Sequence, residues 1–170
     1  VIGMSETIGR LLYQFDRLPM VTVALIEGAA MAGGLGLACC CDVTIGTAEA
    51  RFSFSETRLG ISPAQIARYV MQKCGASTGR RLMLSAAKFQ GTEAAQLGVL
   101  DVVVANGGAL AEAEQQIRSD VLACAPGAVA ATKTLLRQLA TIPDEQKMRV
   151  AAENFTACLK GDEGVEGVAS

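Results

Sequence analysis

The stretch from 28 to 42, GAAMAGGLGLACCCD, has little side-chain bulk and no charge until Asp42. A glycine turn that opens a helix lets a ligand approach the backbone closely. The first N–H groups of that helix then point outward, with the positive end of the helix dipole behind them. The chemistry on offer is anion or oxyanion binding, with free N–H groups expected near Gly33 and Gly34. A packing turn with no ligand fits the same composition. The dinucleotide fingerprint GxGxxG is not met, because AGGLGL lacks its spacing.

A second place for chemistry is FSFSETRLGISPA, 52 to 64. Alternation puts Phe52 and Phe54 on one face of a strand, and Glu56 follows the strand's end, where a carboxylate is partly desolvated and suited to acid–base work. A capping or surface glutamate paired with Arg58 or Arg68 is the competing reading. The chain has no histidine, which removes every mechanism built on an imidazole. An acid or base here is a carboxylate, Lys, Tyr or Cys. Tyr69 and Lys73 are peripheral candidates.

The six cysteines (39, 40, 41, 74, 124 and 158) show no paired CxxC spacing. They read as buried thiols of a reducing compartment, the cytoplasm, and no metal site is expected. The CCC triplet reads as small residues that let a buried helix pack closely, without redox or nucleophilic work.

The elements that position these residues follow from periodicity. Ile8, Leu11, Leu12 and Phe15 recur at helical spacing over 5–17, with Ser5 as N-cap and Pro19 as the stop. A short buried strand is expected over 21–26, a buried helix over GLGLACCCD, and strands over DVTIGTA and ARFSF. A helix carrying Ile66, Tyr69, Val70 and Cys74 ends at Gly75. STGRRLMLSA is helical, GTEAAQLG runs from an N-cap at Thr92 to a stop at Gly98, and VLDVVV (99–104) is a strand. Beyond 108 the chain is helical, with Pro126 and Pro143 at first turns dividing it into about three helices. Three or four short strands make a poor sheet. Residues ahead of this chain are therefore expected.

The bulk composition suits a mixed α/β domain with a substantial core: 170 residues, 51% hydrophobic, 19% charged, net charge −2. No basic stripe points to nucleic acid, no run of charge points to a membrane surface, and a small molecule is the expected partner. The apolar run 20–41 is long enough to span a bilayer, but Glu27 and the glycines interrupt it and its β-branched start reads as a strand.

Taken together, MVTVALIEGAAMAGGLGLACCCDVTIGTAEARFSFSETRLGISPA resembles the core of the crotonase, or enoyl-CoA hydratase/isomerase, superfamily. That family's pattern passes from an apolar strand through G-x-A-x-G-G-G to an Ala-rich CD, then to A-x-F-x-x-x-E-x-x-x-G. TGRRLMLSAAKFQGTEAAQLGVLDVVV is similar to its later segment. The resemblance implies a crotonase-like α/β fold, a spiral ββα core followed by a helical region. Residues 1–107 would be the C-terminal part of that core, with its N-terminal part missing, and 108–170 a truncated trimerisation region. In the family the thioester carbonyl is held by two backbone N–H groups. The second matches Gly33, while the first comes from a loop ahead of 5–17 that this chain lacks.

The family's hydratases commonly use two glutamates, whose positions here are Gly36 and Glu56. The branches that keep the second alone are the bacterial methylglutaconyl-CoA-type hydratases and the enoyl-CoA isomerases; SETRLGISPAQIARYV resembles the former. By the same resemblance Ala64 supplies an N–H to a catalytic water, Gly34 and Gly36 line the substrate, and Gly36 leaves volume beside Glu56 for a branched acyl chain. Arg58 and Arg68 would meet a distal carboxylate or form surface ion pairs. The implied activity is hydration of an α,β-unsaturated acyl-CoA, with single-glutamate isomerisation or non-catalytic acyl-CoA binding as alternatives. Coenzyme A enters only as part of the substrate, and a homotrimer or hexamer is implied.

Overall fold

The computed structural model describes residues 2–169. The chain opens with α1 (Ile2–Asp16), then repeats a strand–strand–helix plan. β1 (Val23–Ile26) turns at Gly28, whose φ is +81°, into β2 (Ala29–Met31) and α2 (Ala32–Cys39). β3 (Val43–Thr47) leads to β4 (Arg51–Ser53), a 3-10 turn (Glu56–Leu59), α3 (Ala67–Cys74) and α4 (Ala76–Ser85). β5 (Phe89–Gln90), α5 (Gly91–Gln96) and β6 (Val102–Val104) follow. Four helices complete the described residues: α6 (Gly107–Leu122), α7 (Pro126–Leu139), α8 (Asp144–Lys160) and α9 (Asp162–Ala169).

Successive strands go to different sheets. One sheet has the order β1-β3-β6, all parallel; the other is β2-β4-β5, with β2 and β4 parallel and β5 antiparallel. The parallel sheet is bracketed twice by the same device. Asp42 Oδ2 accepts from Thr22 N (2.7 Å) and Thr22 Oγ1 (2.8 Å), while Asp42 N donates back to Thr22 Oγ1 (3.1 Å). Asp101 repeats this toward Thr44, at 2.7 Å to N and 3.0 Å to Oγ1, and also receives Lys73 Nζ. Leu35, Ile45, Phe52, Phe54, Val70 and Leu82 form the centre of the core, with Phe52 stacked on Phe89 at 5.6 Å. Each such residue contributes about 1.5–3 kcal/mol by leaving water.

Contacts divide the chain into two compact units. The first comprises the residues up to Leu18 with Thr22–Ile117 and holds both sheets. The second comprises Pro19–Val21 and the chain from Arg118 on. In it, Glu163 caps the start of α7 by accepting from Gly127 N (3.0 Å) and Ala128 N (3.1 Å). None of α7, α8 and α9 contains a buried residue.

Several expectations need correction. Ser5 lies inside α1 and accepts from Gln65 Nε2 at 2.9 Å, so it is no cap. Leu12 is buried while Ile8 and Leu11 stay exposed, because periodicity fixes which residues share a face and not whether that face is covered. Thr92 is inside α5, whose N-cap is Gln90. The helix starts early where Gly91 passes the Thr47 carbonyl, which a Cβ would meet at 2.0 Å. The 99–104 strand is paired only from Val102, because Asp101 gives its side chain to Thr44 and Val99 and Leu100 go into the core. β2 and β5 are strands that periodicity did not reveal, and the tail has four helices, Gly161 parting the last two. Cys124 is exposed, and Cys74 and Cys158 are half-buried. Among the described residues no helix is long and apolar enough to cross a membrane.

Candidate functional site

β2 and β4 are parallel neighbours, with Met31 paired to Ser53. Both therefore end at the same edge of their sheet, one running into α2 and the other into Glu56. Crevices outside the carboxyl ends of parallel strands are where such sheets bind ligands, since each chain there leaves its ladder.

The α2 side is built of backbone. Met31, the N-cap, is extended (φ −127°, ψ 149°) and offers no side-chain cap. Ala32 then takes φ +48°, a left-handed conformation that costs a non-glycine residue roughly 1–2 kcal/mol. It stands at the first of the three glycines in the G-x-A-x-G-G-G pattern, where this chain departs from that pattern. Gly33 and Gly34 follow in the first turn, exposed, with N–H groups that donate to nothing among the described residues. A Cβ on either would meet no atom within 4 Å. Gly34 also lines a cleft of about 590 Å³ with Met31, Leu37 and Glu27.

Gly36 is different. It is buried, and a Cβ there would lie 2.2 Å from Ile66 Cγ2 and 2.5 Å from Ile66 Cβ. The volume expected beside Glu56 is thus filled by Ile66, which is 4% exposed.

Glu56 opens the 3-10 turn with 7% exposure, and its Oε2 is buried without a hydrogen-bond partner. An unpaired buried carboxylate oxygen is costly, and native structures keep few of them without a functional reason. The segment around it is stapled to the end of α4. Ser53 Oγ and Arg58 Nε both donate to Ala86 O at 3.2 Å, and Thr57 Oγ1 donates to Met83 O at 3.1 Å. Gly60, at φ +74°, closes the turn with Ile61 N donating to Glu56 O. Arg58 is therefore spent on a backbone carbonyl. Arg68 goes to Tyr69 OH (2.6 Å) and Asp16 (3.9 Å), so neither arginine neutralises Glu56. These staples join residues about 30 apart in sequence, and no local pattern announces them.

Ala64 is exposed, and its N–H donates to no group among the described residues. It lines a second cleft of about 320 Å³ with Gln65, Arg68, Gly9 and Tyr13, distinct from the one Gly34 lines. Burial, with Cys74 close by, pushes the Cys39 thiol up to about 12; burial, then the charge of Asp16, does the same to Cys40. Thiols so protonated are poor nucleophiles and poor metal ligands. Among the described residues no group of three or more Cys, Asp or Glu is placed to hold a metal ion.

A family profile described as "Enoyl-CoA hydratase/isomerase" matches residues 3–170. The chain is 34% identical over 155 residues to the enoyl-CoA hydratase ACTT6 of Alternaria alternata, covering 91% of this chain and 52% of that protein. Among solved structures, Pseudomonas aeruginosa AtuE superposes with TM-score 0.93 at 41% identity, over 96% of this chain and 64% of its own. A Thermobifida fusca YX structure in complex with acetoacetyl-CoA matches at TM-score 0.82 and 29% identity, over 87% of this chain and 58% of its own. The chain thus spans about half the length of curated relatives it matches.

Proposed function

The chain belongs to the enoyl-CoA hydratase/isomerase family, and from that premise we propose that its parent protein adds water across the double bond of an α,β-unsaturated acyl-CoA. The observation that carries this reading is the buried Glu56 carboxylate past the end of β4, its Oε2 without a partner, with the Gly33 N–H, which donates to nothing among the described residues, past the end of the neighbouring parallel strand β2. In this reading the Gly33 N–H polarises the thioester carbonyl, together with a second N–H that the family draws from a loop ahead of α1. Glu56 takes a proton from water, the hydroxyl oxygen bonds to the β carbon, and the π electrons move to the thioester oxygen as an enolate. The proton on Glu56 then passes to the α carbon, so the carboxylate ends as it began. The oxyanion develops only toward the transition state, so one fixed donor contributes about 3 kcal/mol there. Ala64 N–H holds the attacking water. The T. fusca complex supports an acyl-CoA as the ligand, and coenzyme A serves as part of the substrate, with no further cofactor.

The substrate we favour is a branched or glutaconyl-type enoyl-CoA, on the SETRLGISPAQIARYV run. With Gly36 filled by Ile66, any such branch lies elsewhere than at Gly36. The uncovered helices α7 to α9 suit self-association into a trimer or hexamer, in the cytoplasm. Isomerisation is the second reading, favoured by the single carboxylate, with Glu56 carrying a proton between the α and γ carbons.

The test is loss of the conjugated-thioester absorbance of crotonyl-CoA and 3-methylglutaconyl-CoA, using the full-length parent and its Glu56→Gln variant. We expect hydration by the parent and a fall of about 10²–10⁴-fold in the variant. Conjugation gained from a β,γ-unsaturated substrate, with no hydration, moves the assignment to the isomerase. An undiminished Glu56→Gln variant overturns both.

A further inference from the structure

Holding a water is the one demand hydration makes that proton transfer alone does not, and the following rests on the hydratase reading. The turn that carries Ala64 is closed on itself by Ile66 N and Ala67 N, which donate to Pro63 O at 3.2 and 2.9 Å. The two side chains after Ala64 are each seated in a notch cut by a glycine on a different helix. Gln65 lies over Gly9 of α1, its Oε1 2.2 Å from where a Cβ would stand, and its Nε2 donates to Ser5 Oγ at 2.9 Å. Ile66 lies over Gly36 of α2, with Cγ2 2.2 Å and Cδ1 2.9 Å from a Cβ there. One turn is thereby clamped to both helices through consecutive residues, while Ala64 itself stays exposed with its N–H unspent.

We propose that Gln65 and Ile66 are positioning residues, and that the Gly9 and Gly36 notches seat them so as to fix the Ala64 N–H on the attacking water. Gly36 then has a reason that needs no ligand contact: it admits Ile66. The two notches differ in stiffness. Gly9 faces the far end of a flexible amide, whereas Gly36 faces a β-branched side chain whose Cβ is itself too close to yield.

The test measures two rates on each sample of the full-length protein: hydration of crotonyl-CoA, and exchange of the α-hydrogen of butanoyl-CoA into D₂O. Exchange uses Glu56 and the oxyanion donors but no positioned water, and a smaller folded fraction lowers both rates equally. Their ratio therefore reads positioning alone. We expect Gly36→Ala to lower the ratio at least about tenfold, since a displacement near 1 Å costs up to about a hundredfold. Gln65→Ala leaves the core intact and should lower the ratio about threefold, by loss of one of two clamps; it decides the matter if Gly36→Ala does not fold. A parental ratio in the variants overturns the positioning role while leaving the hydratase reading in place. A parent that exchanges but does not hydrate overturns the hydratase reading and the positioning role with it.

Discussion

The two ends of α2 are built on opposite principles. At its start Gly33 and Gly34 are exposed, no side chain caps the helix, Ala32 is held left-handed, and the Gly33 and Gly34 N–H groups donate to nothing among the described residues. At its end Cys39, Cys40 and Cys41 are buried. There Cys40 N and Cys41 N donate to Leu37 O and Ala38 O at 3.0 Å, and the Cys40 thiol donates back to Gly36 O at 3.3 Å. The Thr22–Asp42 bracket then ties the exit to the sheet. A helix of eight residues is not stable by itself. This one is held from behind, which leaves its leading N–H groups fixed in place and free to bind.

The sharpest way to break that comparison is to place the same methyl group at both ends. Gly36→Ala should destabilise the parent protein by about 1–3 kcal/mol through overpacking against Ile66, in spite of alanine's better helix propensity. Gly33→Ala meets open space and should gain up to about 1 kcal/mol from that propensity. Denaturant midpoints of the two variants should therefore move in opposite directions. Shifts of the same sign would show that the two turns of α2 are packed alike.

Much of this contrast was legible in the sequence and some of it was not. The bare run marked the open N-terminus and its N–H groups, the triplet marked the sealed end, and Glu56 was placed past a strand end where the structure puts it, buried. Gly36 was misread because a glycine's local pattern does not reveal what stands opposite, and Ile66 is 30 residues away. Ser5 was misread for a related reason: its partner is Gln65, not its own helix. β2 and β5 have too few residues for alternation to register, and they exist because β4 lies between them. Periodicity records which face a residue occupies; long-range partners decide what that face meets.

The sealed side of α2 also carries a pH signature of smaller size. Lys73, whose charge reaches Cys39, pairs with Asp101, which in turn brackets β3 through Thr44. Burial opposes ionisation of Asp101, but the bonds from Lys73 and Thr44 outweigh it and hold the carboxyl below the usual carboxylate range. A carboxylate depressed in the folded state adds stability above its unfolded value, near about 4, and that stability is lost as pH falls through the folded value. The melting temperature of Asp101→Asn should thus be lower than the parent's at neutral pH, and the gap should narrow on acidification to about pH 3. The side chain is 43% exposed, so solvent screens the pair and the effect is modest. A gap that widened in acid would contradict the bracket.

The smallest effect, and the most direct readout of the sealed end, is thiol accessibility. At about pH 8 a thiol pushed up to about 12 is thiolate in roughly one molecule in ten thousand, and burial adds a steric barrier. Cys124 meets no such steric barrier: it is exposed just past the end of α6, with its Sγ donating to Asp120 O at 3.4 Å. Peptide-resolved iodoacetamide labelling of the native parent should therefore modify Cys124 first and leave Cys39 and Cys40 unmodified until denaturant is added. The two should then label in step with global unfolding, because an end that holds a short helix in place opens only when the surrounding core does. Labelling of Cys39 or Cys40 at the native rate of Cys124 would mean that the end of α2 is no better anchored than its start, and the fixed geometry at Gly33 would have no support.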